Sequence, residues 1–195
     1  MANPYELEKA EHDRRYKRIA DKYLPSCEAQ ENPRAIIIGG QPGSGKGQLT
    51  NKAARELFKE GGFVLVDADT LRERHPAHRD LMRENDREAA NLTHNDASKW
   101  AKRLTTDAIE GRRNIVLDQT CKSPETLLAR TAQLKEAGYH IELRVVAVAP
   151  EVSIQRVDTR YENQKAGPEG AGRYVPRAVH DAAYLGLPES VAAVE

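Results

Sequence analysis

The residues best suited to chemistry begin at positions 39–48, which read GGQPGSGKGQ. From Gly40 to Lys46 they fit the spacing G-x-x-x-x-G-K. Glycines so placed let successive backbone N–H groups turn inward around phosphate oxygens, and the lysine adds a point charge for the β- and γ-phosphates. A β-branched run precedes the loop and a helical pattern follows it, the context this grip needs. Gly40, Gln41, Pro42, Gly43, Ser44, Gly45, Lys46, Gly47 and Gln48 are therefore the candidate nucleotide contacts. The departure is Gly47, where a Ser or Thr ordinarily gives its oxygen to Mg²⁺. Glycine has no such atom, and Ser44 stands in the wrong part of the loop to replace it. The backbone cradle survives the change, so nucleotide binding is expected to outlast catalytic efficiency.

Two pairs of residues two apart come next, each led by an acid. VLVDADT places Asp67 and Asp69 just after an apolar run. Two apart in an extended segment, they would share a face. A carboxylate there can orient and deprotonate an acceptor hydroxyl, and Asp69 or Thr70 could instead cap the helix that follows. NIVLDQT ends with Asp118 and Thr120, an acid and a hydroxyl that suit a polyol or sugar, with Asp118 or Asp69 also open to a metal. Arg160, in RYENQ, and Arg173, after the glycine-rich KAGPEGAG, offer the guanidinium forks that suit a transferring phosphoryl group.

The elements that must position these residues alternate. A helix is expected over 5–23, with Tyr16, Ile19, Ala20 and Tyr23 on one face, Glu11–Arg15 and Asp13–Lys17 pairs outside, and Pro25 at its end. Strands are expected at 35–38, 63–66, 114–117 and 141–148. Helices are expected at 46–60, 69–91, 95–110, 124–137, from just after Pro150 to about 164, and near 176–185. Strands alternating with helices predict an α/β fold, a P-loop NTPase-like three-layer sandwich: a parallel sheet with helices on both faces. Ligands then bind beyond the carboxyl ends of the strands, where the phosphate loop and both acid-bearing strand ends fall.

Composition sets the outer bounds. The chain has 195 residues, enough for one domain with its own core, and 30 basic residues against 30 acidic. A balanced charge argues against nucleic acid or a membrane surface as general partners. Two cysteines, Cys27 and Cys121, make no disulfide framework. The charged start MANPYELEKAEHDRR lacks a leader's apolar segment and no run is long enough to span a bilayer, so the expected location is cytoplasmic. Residues 1–30 are expected as a helix packed on or docking beside a kinase-like domain of residues 31–195.

With these residues in place, the chain resembles the zeta toxin family, the toxic kinases of toxin–antitoxin systems. The resemblance runs from about Arg34 to Val191 through GGQPGSGK, DADTLRERHP, NDASKWAKRL, RRNIVLDQT, TRYE and VHDAAYLGLPES, in family order. It implies ATP and Mg²⁺ as cofactors, the 3′-hydroxyl of the amino-sugar of UDP-N-acetylglucosamine as acceptor, and a small helical antitoxin as partner. It implies Lys46 as the loop lysine, Asp69 as general base, Asp118 in place of a substrate-binding Glu, Thr120 as a substrate-binding Thr, and Arg160 with Arg173 as the phosphate clamp. Three features depart from the family pattern: Gly47, the Asp118-Gln119-Thr120 run where acid-Gly-Thr is usual, and Cys121, an oxidisable thiol directly after it. These departures leave room for another nucleotide or small alcohol as acceptor, or for a weakly active protein that binds nucleotide and antitoxin.

Overall fold

A computed structural model describes residues 3–195. Four strands form one parallel sheet: β1 (Arg34–Gly39), β2 (Val64–Asp67), β3 (Ile115–Asp118) and β4 (His140–Val145), in the order β2-β3-β1-β4. β1, central and β-branched, is buried from Ala35 onward. Its side chains alternate between two cores, as the two-residue period of a strand requires. Ala35 and Ile37 join Val64, Val66, Ile115 and Leu117 on one face, and Ile36 and Ile38 join Val116, Ala53 and Leu57 on the other. The second core is closed by α2 (Lys46–Phe58). The first is closed by α1 (Lys9–Tyr23), α4 (His78–Glu110), α5 (Pro124–Glu136) and α7 (Arg177–Val194). This is the expected three-layer sandwich.

Several elements differ from their expected bounds, each for a physical reason. α1 starts at Lys9, because residues 3–8 are tied elsewhere: Leu7 N–H donates to Asp96 at 3.2 Å and the Asn3 amide to Leu92 O at 2.6 Å. Glu11 pairs with Arg15 as expected, but Asp13 turns to Arg103 and Lys17 to Asp21. Tyr16 and Ile19 reach the main core, and Trp100 donates to His12 O at 3.2 Å, so α1 packs along α4. The stretch 69–110 is divided earlier than expected. A short α3 (Ala68–Arg72) is followed by the 33-residue α4, irregular only at Asn85 (φ −154°, ψ 81°). The helix continues through 92–94, where a break was expected; Thr93 is buried and bonds back to Ala89 O. β4 stops at Val145, three residues short, and α7 runs on to Val194 through Pro188. A Cβ on Gly186 would sit 2.0 Å from Lys122 O, so this turn of α7 lies flush against the loop after β3.

Candidate active site

The β1 strand ends at Gly39 and the loop turns at once. Gly43 (φ +79°) and Gly45 (φ +100°) adopt left-handed conformations that favour glycine. A Cβ at Gly43 would meet Ser153 O at 2.1 Å, so the loop is wedged against α6 (Pro150–Lys165). Gln41 is fully buried, its amide donating to Val148 O at 2.7 Å while Oε1 has no partner. The Ser44 hydroxyl is likewise buried and unpartnered. Lys46 opens α2, and its ammonium donates to Gly40 O at 2.8 Å and Gln41 O at 3.4 Å. Burial lowers the Lys46 pKa; Asp118 opposes that shift and Arg173 adds to it.

The acids do not share a strand face as the i, i+2 spacing implied, because the helix begins between them. Asp67 ends β2 and is itself the cap of α3, accepting from Asp69 N–H at 2.9 Å and the Thr70 hydroxyl at 2.7 Å. Asp69 sits in the first turn and turns to two arginines instead, so the capping alternative falls to Asp67 rather than to Asp69 or Thr70. One Asp69 oxygen accepts from Arg72 at 2.6 Å and the other from Arg173. Both line a cavity of about 1020 Å³ that also takes in Arg79, Arg83, Asp86 and Tyr174.

Asp118 ends β3 directly opposite Asp67 in the parallel register. Burial pushes its carboxyl up from the ordinary range, the Thr50 hydroxyl and Lys46 pull it back, and Asp67 adds to the rise. The Thr50 hydroxyl donates to Asp118 at 2.7 Å. Thr50 was missed in the sequence, although its place four residues after Lys46, on the same helix face, was a usable signal. Asp118 and Gln119 line a separate cavity of about 610 Å³ between α4 and α5, with Ser98, Lys102, Thr105 and Arg130 among its walls. Gln119 N–H continues the sheet by donating to Ile38 O at 3.0 Å. Thr120 is half-buried in the next loop and lines neither cavity. Cys121 (φ +51°) packs its sulfur against Gly39, and burial pushes its thiol up to about 11, away from the thiolate that reacts. Cys27 is also buried and free.

The two arginines are held differently. Arg173 N–H donates to the Gln164 side chain at 2.8 Å and its guanidinium reaches Asp69. Arg160 lies along α6 in a groove with Arg156, Thr159 and Gln164; its Nε and one terminal nitrogen are buried without partners. Gln164 lines both spaces, so the groove and the Asp69 cavity adjoin there.

These residues fit a nucleotide triphosphate: a glycine cradle, a lysine resting on loop carbonyls, and two arginines with donors to spare. They also fit Mg²⁺ in the manner that ion prefers, held by phosphates, water and one or two carboxylates. Of the two acids open to a metal, Asp69 has both oxygens on arginines, whereas Asp118 has one oxygen on Thr50 and no hydrogen bond to the other. Among the described residues no group of three or more His, Cys, Asp or Glu could form an all-protein site. A Cβ on Gly47 would meet nothing within 4 Å. None of the described helices is long and apolar enough to cross a membrane.

Comparison with known proteins fits this geometry. The toxin PezT of Streptococcus pneumoniae is 28% identical over 153 residues, 78% of this chain and 60% of that protein. The toxin zeta of Streptococcus agalactiae is 25% identical over 195 residues, 98% of this chain and 66% of that protein. The chain thus spans about three-fifths to two-thirds of the length of these curated relatives. A structure from the characterisation of the PezAT chromosomal toxin-antitoxin system of S. pneumoniae superposes with a TM-score of 0.74 at 25% identity, over 85% of this chain and 67% of that one. A complex described as AvrRxo1-ORF1:-ORF2 with ATP shares the fold, with a TM-score of 0.68 at 15% identity over 100% of this chain and 65% of that one. The family described as Zeta toxin matches residues 18–195, from the second half of α1 to the end of the sequence. With the phosphate loop, the acid-bearing strand ends and the arginines all inside that span, the chain belongs to the zeta toxin family.

Proposed function

We propose that the chain is an ATP-dependent kinase of zeta toxin type, the toxin of a toxin–antitoxin pair, acting on the 3′-hydroxyl of the amino-sugar of UDP-N-acetylglucosamine. The observation that carries the kinase reading is that Lys46 rests on the carbonyls of the phosphate loop, Thr50 one turn on along α2 ties that helix to Asp118 opposite Asp67, and Arg173 reaches Asp69. The acceptor and the small helical antitoxin rest on the family resemblance.

In this reading the loop amides and Lys46 hold the β- and γ-phosphates, Lys46 exchanging the Gly40 and Gln41 carbonyls for phosphate oxygens. Mg²⁺ would supply neutralisation of the phosphate charge, with Asp69 or Asp118 open to hold it. Asp69 accepts the proton of the acceptor hydroxyl as its oxygen bonds to the γ-phosphorus and the bond to the β-phosphate oxygen breaks, releasing ADP. Arg173 starts on Asp69, so its move to the phosphates uncovers the base only when nucleotide is in place. Arg160, with buried donors unspent, supplies the second fork. Asp118 and Thr120 bind the sugar, and the site lies in the cytoplasm, where the nucleotide-sugar is made.

A second reading keeps the chemistry and changes the acceptor. It is favoured by Gln119, whose side chain shares a cavity wall with Asp118. Incubation with ATP, Mg²⁺ and a panel of UDP-sugars, NAD and simple sugars separates the two. Product from UDP-N-acetylglucosamine is expected; product only from another acceptor transfers the proposal to that acceptor. Asp69→Ala is expected to abolish transfer with ATP affinity nearly intact, and unchanged turnover in that variant removes Asp69 from its role. If ATP binds and no acceptor is phosphorylated, the chain is a nucleotide- and antitoxin-binding protein limited by Gly47.

A further inference from the structure

The glycine-rich segment that carries Arg173 is anchored by a buried acid on a distant helix. Asp86 follows immediately after the irregularity at Asn85, where α4 restarts. Neither Pro nor Gly stands between His78 and Asn91, so local chain chemistry does not impose the break. What lies beside it is tertiary. One Asp86 oxygen accepts from the Tyr161 hydroxyl at 3.1 Å; the other accepts from the Gly172 N–H at 3.1 Å and the Lys165 ammonium at 3.4 Å. Arg87, the next residue, stands over the rings of Tyr161 and Tyr174, which meet edge to face. Asp86 is only 7% exposed. Burial alone would raise its carboxyl, and these three donors together bring it below the ordinary range. Gly172 is pressed so closely on α6 that a Cβ would lie 2.5 Å from Tyr161 O. The residue between the anchored Gly172 and Tyr174 is Arg173.

We infer that Asp86 is a positioning residue: by gripping Tyr161 on α6 and the Gly172 amide, it fixes the end of the glycine-rich loop so that Arg173 is delivered to Asp69. Nothing in the chemistry of transfer requires Asp86 itself. It also accounts for the tyrosine beside Arg160. Tyr161 turns inward to Asp86, which leaves Arg160 on the groove side of the same helix.

The inference rests on the kinase reading for its catalytic consequence, and the test keeps the two apart. Trypsin can cut after Lys165 and after Arg173, at either end of the loop. In Asp86→Ala, loss of a charge-assisted anchor is expected to speed cleavage there by about tenfold or more, with the far-UV circular dichroism unchanged. Cleavage at the wild-type rate overturns the inference, whatever the activity. The transfer rate gives the second arm. Asp86→Ala is expected to lower kcat by about tenfold or more with little change in the KM for ATP, and to have no further effect in an Arg173→Ala background. Multiplying losses in the double variant overturn it. If wild-type protein transfers no phosphate, the kinase reading fails and the cleavage arm alone decides. Should Asp86→Ala not fold, Tyr161→Phe removes one of the three donors and is expected to speed cleavage in the same place, about threefold; no change there overturns the inference equally.

Discussion

Replacing Gly47 by Ser tests how this site manages without a hydroxyl beside Lys46. The structure sets the size of both expected effects. Gly47 lies in the first turn of α2 with an ordinary helical backbone, and an added Cβ meets nothing within 4 Å. No strain opposes the change, and serine is the better helix former by about 0.5 kcal/mol. For a chain of this size that corresponds to a rise in Tm of about 1–2 °C. The new oxygen also stands where α2 meets the phosphate grip. Thr50 cannot already fill that role, because three residues further on it is displaced by about 4.5 Å along the helix axis, and its hydroxyl is committed to Asp118 at 2.7 Å. An added oxygen ligand worth about 1.4 kcal/mol in the transition state raises kcat tenfold. Phosphate transfer measured across a Mg²⁺ titration, alongside a thermal melt, is the assay. The expected result is a small gain in Tm, a kcat raised about tenfold and saturation at lower Mg²⁺. A protein that melts higher but transfers phosphate at the wild-type rate over the whole titration refutes the argument, since the space and stability would then be as described while the metal gains nothing from position 47.

Two further outcomes follow from the buried groups at the sheet edge. Burial raises the Asp118 carboxyl in the fold, so the native state binds its proton more readily than the unfolded chain, and stability is lost as pH rises from the unfolded value through the folded one. Asp118→Asn, which can still accept from Thr50, is therefore expected to melt higher than wild type at pH 7, with the gap closing below pH 4, while losing transfer; a lower Tm at pH 7 contradicts the sign. Cys121, pushed up to about 11, is expected to resist iodoacetamide in the native protein at pH 8 and to react once unfolded, as read by mass spectrometry; rapid native labelling would contradict its burial.

Much of the fold was legible because its signals are local. Ile36, Ile37 and Ile38 before the glycines, Pro124 at the start of α5, and Gly61-Gly62 after α2 mark strands and helix ends by chain chemistry alone. α4 was not legible in the same way: Thr93 in the unexpected turn 92–94 is fully buried, and beside the irregularity at Asn85 stands Asp86, bonded to Tyr161 75 positions away. The start of α3 was misplaced by one residue, because Asp67 and Asp69 are equivalent in sequence and only where α3 begins separates a capping acid from one facing the cavity.

By itself, then, the sequence determined what is written in residue type and short spacing: the phosphate loop with its missing hydroxyl, the acids at two strand ends, the alternation that requires a parallel sheet, and the motif order of the zeta toxin family. Tertiary structure alone decided which side chains meet. Thr50 on Asp118, Arg173 on Asp69 and Asp86 on Gly172 join residues 68, 104 and 86 positions apart. No local propensity encodes such pairs, because they form only once the sheet and its covering helices have brought their carboxyl-end loops to one edge.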